Sequence, residues 1–77
     1  MADVTVSQVK AARALLGWKQ PDLADAAGVS VPTVKRYETG TSTIPVVKAA
    51  IVRALEDAGI VFVHDGKFVG VKIKCSR

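Results

Sequence analysis

Four glycines and three prolines cut this chain into short pieces. Pro21, Pro32 and Pro45 each stand where a helix would begin, a place where a missing N–H costs nothing. Gly17, Gly28, Gly40 and Gly59 each stand where the helical pattern stops. That punctuation leaves four short helices, and 77 residues have room for one core only. The apolar fraction of 49% is too high for a disordered chain. The reading is therefore one mainly α domain over residues 1–77.

The spacing of apolar residues fills in the pieces. Val9, Ala12, Leu15 and Leu16 form a helical stripe, and Thr5 with Gln8 has the form of a capping box, so the first helix is predicted from Val6 to Leu16. The second runs from about Gln20 to Ala27, with Leu23, Ala24 and Ala27 inward and Asp22 near its positive end. Ser30 caps the third, from Val31 to about Thr39, with Val34 and Tyr37 inward. The fourth runs from Pro45 to Ala58 along Val47, Ile51, Leu55 and Ala58. After Gly59 the period changes to two. Two β-branched runs, 60–64 and 67–73, flank Asp65-Gly66, a hairpin signal. A two-residue turn would pair His64 with Lys67, Val63 with Phe68 and Phe62 with Val69. Ile60, Phe62, Val69, Val71 and Ile73 would then share one face, set over the fourth helix, and Val61, Val63 and Phe68 the other.

Several functions are set aside on composition. A single cysteine, Cys75, offers no internal disulfide or Cys-based zinc site, and a single histidine, His64, offers no His pair. No cofactor or metal is expected. No cluster of nucleophile, base and orienting group appears, and the chain is read as not an enzyme. No apolar run reaches membrane-spanning length, and the opening MADVTVSQVK has neither an apolar core nor a cleavage site, so a cytoplasmic location is expected. The net charge of +4 and pI near 9.6 point mildly toward polyanions, with Lys67, Lys72, Lys74 and Arg77 massed at the end.

Residues 20–40, QPDLADAAGVSVPTVKRYETG, carry the functional signal. Two short helices meet through a turn containing Gly28, where the chain must turn sharply and a positive φ is expected. Ala24 is small at the closest approach, and Val34 and Tyr37 pack the second helix back on the first. This is the helix-turn-helix pattern. With the helix before it and the helix after it, the string ARALLGWKQPDLADAAGVSVPTVKRYETG resembles the Xre family of phage-repressor-like regulators, over about residues 5–58.

The resemblance implies a four-helix, lambda-repressor-like fold in a bacterial or phage transcriptional regulator, whose helix 31–39 enters the DNA major groove. With Val34 and Tyr37 inward, Pro32, Lys35, Arg36 and Thr39 face out, and Val31 and Thr33 lie at the edges. Arg36 is the leading candidate for base readout, because a guanidinium bonds guanine O6 and N7 together. Lys35, Val31 and Pro32 complete the expected base-contacting set, the last two meeting at most a thymine methyl. Phosphate contacts are expected from Lys19, Gln20, Ser30, Thr33, Thr39, Thr41, Ser42 and Thr43. Gln20 matches the family position that grips the backbone. Lys19 replaces the usual Ser or Thr cap, and the loop 41–43 is neutral where relatives often carry Lys or Arg. Arg13 and Glu38 match a family ion pair that fixes the recognition helix. Trp18 is read as a core lid.

The hairpin stands where this fold usually adds a fifth helix. A lone hairpin is marginal in water, and its Val61, Val63 and Phe68 face would stay exposed beside an open edge. A homodimer through residues 60–74 is therefore expected, bound to double-stranded DNA at a near-palindromic operator and acting as a repressor. The alternative is a protein-interaction module, such as an antitoxin or anti-activator partner, that grips another protein through the hairpin.

Overall fold

The computed structural model describes residues 4–41 and 44–74. Four helices come first: α1 (Val6–Leu16), α2 (Gln20–Ala27), α3 (Val31–Glu38) and α4 (Pro45–Asp57). Two antiparallel strands follow, β1 (Ile60–His64) and β2 (Val69–Ile73). The expected mainly helical architecture with a C-terminal hairpin is the one observed.

The local signals act as their chemistry requires. Thr5 and Gln8 form a reciprocal capping box, with Gln8 N–H donating to Thr5 Oγ1 at 3.2 Å and Thr5 N–H to Gln8 Oε1 at 2.9 Å. α1, α2 and α3 all end in the same way. Trp18, Val29 and Thr41 donate their N–H groups back to the carbonyls of Arg13, Ala24 and Arg36 at 2.9, 3.0 and 3.0 Å. Each such closure passes through a glycine in the left-handed region, a Schellman stop.

The core joins all four helices to the first strand residue. Val9 and Ala12 of α1, Leu23 and Ala24 of α2, Val34 and Tyr37 of α3, Ile51, Ala54 and Leu55 of α4, and Ile60 are buried together. Trp18 lies half-buried against this cluster, as a lid between helices would. Leu15 departs from its expected place on the α1 stripe and is 47% exposed. The stripe is narrower, running through Val9, Ala12 and Leu16, because Leu15, six residues from Val9, falls well round the helix from it while Leu16, seven residues on, comes back into line.

The hairpin corrects two expectations. The observed partners are Ile60 with Ile73, Val61 with Lys72, Phe62 with Val71, Val63 with Gly70 and His64 with Val69. The turn thus spans residues 65–68 rather than 65–66. A two-residue type I′ turn would put both Asp65 and Gly66 at positive φ. Among the described residues, only glycines adopt positive φ. Instead Asp65 Oδ1 accepts from the N–H groups of Lys67 (3.1 Å) and Phe68 (2.8 Å), and Gly66 alone takes φ 92°. These two N–H groups, Phe68 first, hold the Asp65 carboxyl below the usual range. Phe68 is consequently a turn residue and Gly70, not Phe68, faces Val63. The register moves by two residues, so every side chain within the two strands keeps its expected face.

The second correction is what the hairpin covers. β2 lies along α1, and of the two strands it is β1 that α4 chiefly meets. The physical reason is Gln8, which is buried on α1 and donates through Nε2 to the carbonyls of Val63 (3.2 Å) and Gly70 (2.9 Å). One side chain therefore caps α1 and fastens the hairpin to it.

Candidate nucleic-acid interface

The turn between α2 and α3 sets the geometry. Gly28 takes φ 72° and no atom lies within 4 Å of where its Cβ would be, so the turn asks for backbone freedom and not for space. Ser30 then caps α3: its Oγ accepts from Thr33 N–H at 3.3 Å, and the two hydroxyls are 2.8 Å apart. α3 buries Val34 and Tyr37 and leaves Pro32, Lys35, Arg36 and Thr39 exposed. Among the described residues, the side chains of Lys35 and Arg36 make no hydrogen bond or ion pair, so both cations are open to solvent and to a polyanion. Val31 sits differently from Pro32. It is half-buried and packs against the core, so it offers a groove only part of its side chain.

The far end of α3 is anchored by a polar network. Arg13 Nε donates to Glu38 Oε2 at 2.8 Å, and Nη2 to Oε1 at 3.0 Å, a two-pronged pair. Arg13 Nη1 also donates to the Trp18 carbonyl at 3.2 Å. Gln20 Nε2 adds a bond to Glu38 Oε1 at 3.0 Å. The Glu38 side chain is 3% exposed and that of Arg13 is 20% exposed. Burial pushes the Glu38 pKa up, but the bonds from Arg13 and Gln20, with the charges of Arg13 and Lys10, outweigh it and hold the carboxyl below its usual value. Glu38 is thus ionised at neutral pH and ties α1, the start of α2 and the end of α3 into one unit.

The sequence-predicted phosphate contacts divide by what occupies them. Lys19 is exposed at the start of α2, with its side chain free among the described residues. A lysine carries no acceptor for the helix amides. Only the return arm of a capping box forms, from Lys19 N–H to Asp22 Oδ2 at 2.8 Å. Gln20 is half-buried and engaged with Glu38. The hydroxyls of Thr39 and Thr41 turn back on the Arg36 carbonyl, each at 3.1 Å. Ser42 and Thr43 lie outside the described residues. Lys48 is half-buried. Lys19, Lys35 and Arg36, brought together on the α2–α3 unit by the turn and the Glu38 network, are its open cations, beside the exposed acids Asp22 and Asp25.

Two roles escaped sequence reasoning. Gln20 carries the third arm of the Glu38 network, although its place at the head of α2 resembled a backbone-gripping position. Gln8 was legible as a cap, but nothing in its spacing signals a reach of more than fifty residues to Val63 and Gly70. The proposed dimer residues are also in view: Val61 and Val63 are half-buried, and Phe68 is 69% exposed at the tip.

No helix among the described residues is long and apolar enough to cross a membrane, and none of their His, Cys, Asp and Glu side chains group as a metal site would. No curated protein matches the chain. A helix-turn-helix family model, HTH_3, matches residues 9–52, more than half the chain and all of the α2–turn–α3 unit. With that match, the Gly28 turn and the two open cations of α3, the chain belongs to the Xre/lambda-repressor-like helix-turn-helix family of DNA-binding regulators.

Proposed function

We propose that this protein is a sequence-specific transcriptional repressor that binds a near-palindromic operator as a homodimer. The observation that carries the reading is Arg36 and Lys35, open on the outer face of an α3 whose far end is locked by Glu38. A recognition helix must present its donors in a fixed frame, because base readout tolerates little misplacement. Arg36 would read a guanine. Lys35 and Pro32 would line the groove, with Val31 contributing its exposed edge. Lys19 would bind phosphate together with the N–H groups at the head of α2, and Gln20, Ser30, Thr33, Thr39 and Thr41 would contribute through backbone groups and unoccupied lone pairs. Val61 and Val63 of the hairpin would join the two protomers, with Phe68 moved off to the turn, and set their α3 helices roughly 34–36 Å apart, one DNA turn.

The test is selection of bound duplexes from a random pool, followed by a salt titration on the winner. A half-site repeated with two-fold symmetry is expected. Lys19 on phosphate in each of two protomers gives a log–log salt slope of roughly −2 or steeper. Recovery of no preferred sequence would overturn the reading. A second reading, a protein-binding module, is favoured by one feature, the exposed Phe68 and Val69 at the hairpin tip. It would show as full partner binding by a chain that lacks DNA affinity.

A further inference from the structure

The homodimer proposed above leaves open which strand edge of the hairpin joins the copies, and the ladder geometry bears on it. Lys74 N–H donates to the Gly59 carbonyl at 2.8 Å, and Asp65 N–H to the Phe68 carbonyl at 3.1 Å. Hydrogen-bonded and non-bonded pairs alternate in an antiparallel ladder. Those two bonds therefore fix Val61 with Lys72 and Val63 with Gly70 as the bonded pairs. The N–H and C=O groups of Ile60, Phe62 and His64 then point away from β2, toward the outer edge of β1. The main neighbours of β1 are β2 and, at its start, α4. β1 reads Ile60-Val61-Phe62-Val63-His64 and carries no Asp, Glu, Lys or Arg. β2 and its flanks carry Lys67, Lys72 and Lys74, all exposed, and lysines on an edge oppose strand addition.

We infer that a second copy of this chain pairs with the outer edge of β1, antiparallel about a two-fold axis at Phe62, making one four-stranded sheet across the dimer. In that register Phe62 faces the partner's Phe62, and Ile60 faces the partner's His64, so every outward N–H and C=O of the strand finds a partner. Val61 comes opposite the partner's Val63. The half-buried valines of both copies then merge into one apolar stripe on the face away from the core. Phe68 lies off this seam, in the turn. A two-fold seam along β2 would instead gather lysines from both copies on neighbouring strands. The β1 seam is small beside the roughly 1,600 Å² of a standard interface, so the free dimer is weak and is assayed at high protein concentration.

The inference rests on the homodimer reading, and the experiment separates the two. Full-length Val61→Cys and Val63→Cys chains, each also carrying Cys75→Ser, are oxidised alone and mixed. Mixing should give a disulfide-linked heterodimer in clear excess over either chain alone. Directly opposed residues lie within disulfide reach, whereas like residues sit on the diagonal at roughly 7–8 Å or more. His64→Pro, which removes an outward N–H and leaves the β1–β2 ladder intact, should keep its helical circular dichroism and dimerise at least roughly ten-fold more weakly. A wild-type dimer by sedimentation, with no excess crosslinking in the mixture, would overturn the seam and leave the homodimer standing. A wild-type monomer would overturn both and leave the β1 edge to a strand of another protein. If His64→Pro unfolds, the cysteine pair decides alone.

Discussion

Glu38→Gln should unsettle this fold more than its single-atom change implies. The carboxylate is 3% exposed and takes three donated bonds, two from Arg13 and one from Gln20. An amide in its place keeps one acceptor and turns an NH2 toward the guanidinium, so at least one short contact becomes donor against donor. Removing one partner of a buried ion pair costs about 3–5 kcal/mol. Arg13 is one-fifth exposed and keeps the Trp18 carbonyl, so water and that bond relieve part of its loss. The expected cost at neutral pH is therefore about 2–3 kcal/mol. For a domain of this size that lowers Tm by roughly 10–20 °C. The pH dependence gives a second handle. Glu38 has a folded pKa below its ordinary 4.5, so its contribution is full above the unfolded value and is lost as pH falls from there through the folded value. The gap between wild type and Glu38→Gln should close over that acid range. Calorimetry of both chains from neutral pH downward makes the measurement. Equal melting temperatures at neutral pH, or a gap that stays constant into acid, would refute the argument that Glu38 is the ionised hub of three helices.

Gln8→Ala removes three bonds made by one buried amide and should cost about 2–3 kcal/mol. Hydrogen exchange should show the hairpin amides opening before the helices, and uniform loss of protection would argue against the fastening role. Gly28→Val meets no atom within 4 Å but forces a β-branched residue to φ 72°, so a loss of about 1–2 kcal/mol is expected from backbone strain alone. An unchanged Tm would mean that the turn relaxes. Arg36→Ala should cost about 1–3 kcal/mol on the selected operator and relax preference at one base pair, leaving Tm in place. An equal loss on all sequences in a binding titration would assign Arg36 to phosphate.

Local chemistry alone set much of this molecule. Thr5 with Gln8, Ser30, the three helix-starting prolines and the helix-ending glycines are signals read within one turn of chain, and each element lies where they put it. The inward set Leu23, Ala24, Val34 and Tyr37 followed from periodicity, since a 3.6-residue repeat leaves those side chains no other common face. The outward placement of Lys35 and Arg36 followed from the same repeat. The Arg13–Glu38 pair was legible only through resemblance, because no local rule links residues so far apart in sequence. Tertiary structure decided the rest. The hairpin kept its faces but slipped its register by two, because Asp65 capped two amides with its carboxylate instead of taking a positive φ. β2 settled on α1 because Gln8 had an amide left to donate, and Gln20 turned to Glu38 because folding brought a buried carboxylate within reach. Each of these was a competition between partners distant in sequence. A chain read residue by residue shows which groups seek a bond, and only the packed core determines which partner is near enough to make it.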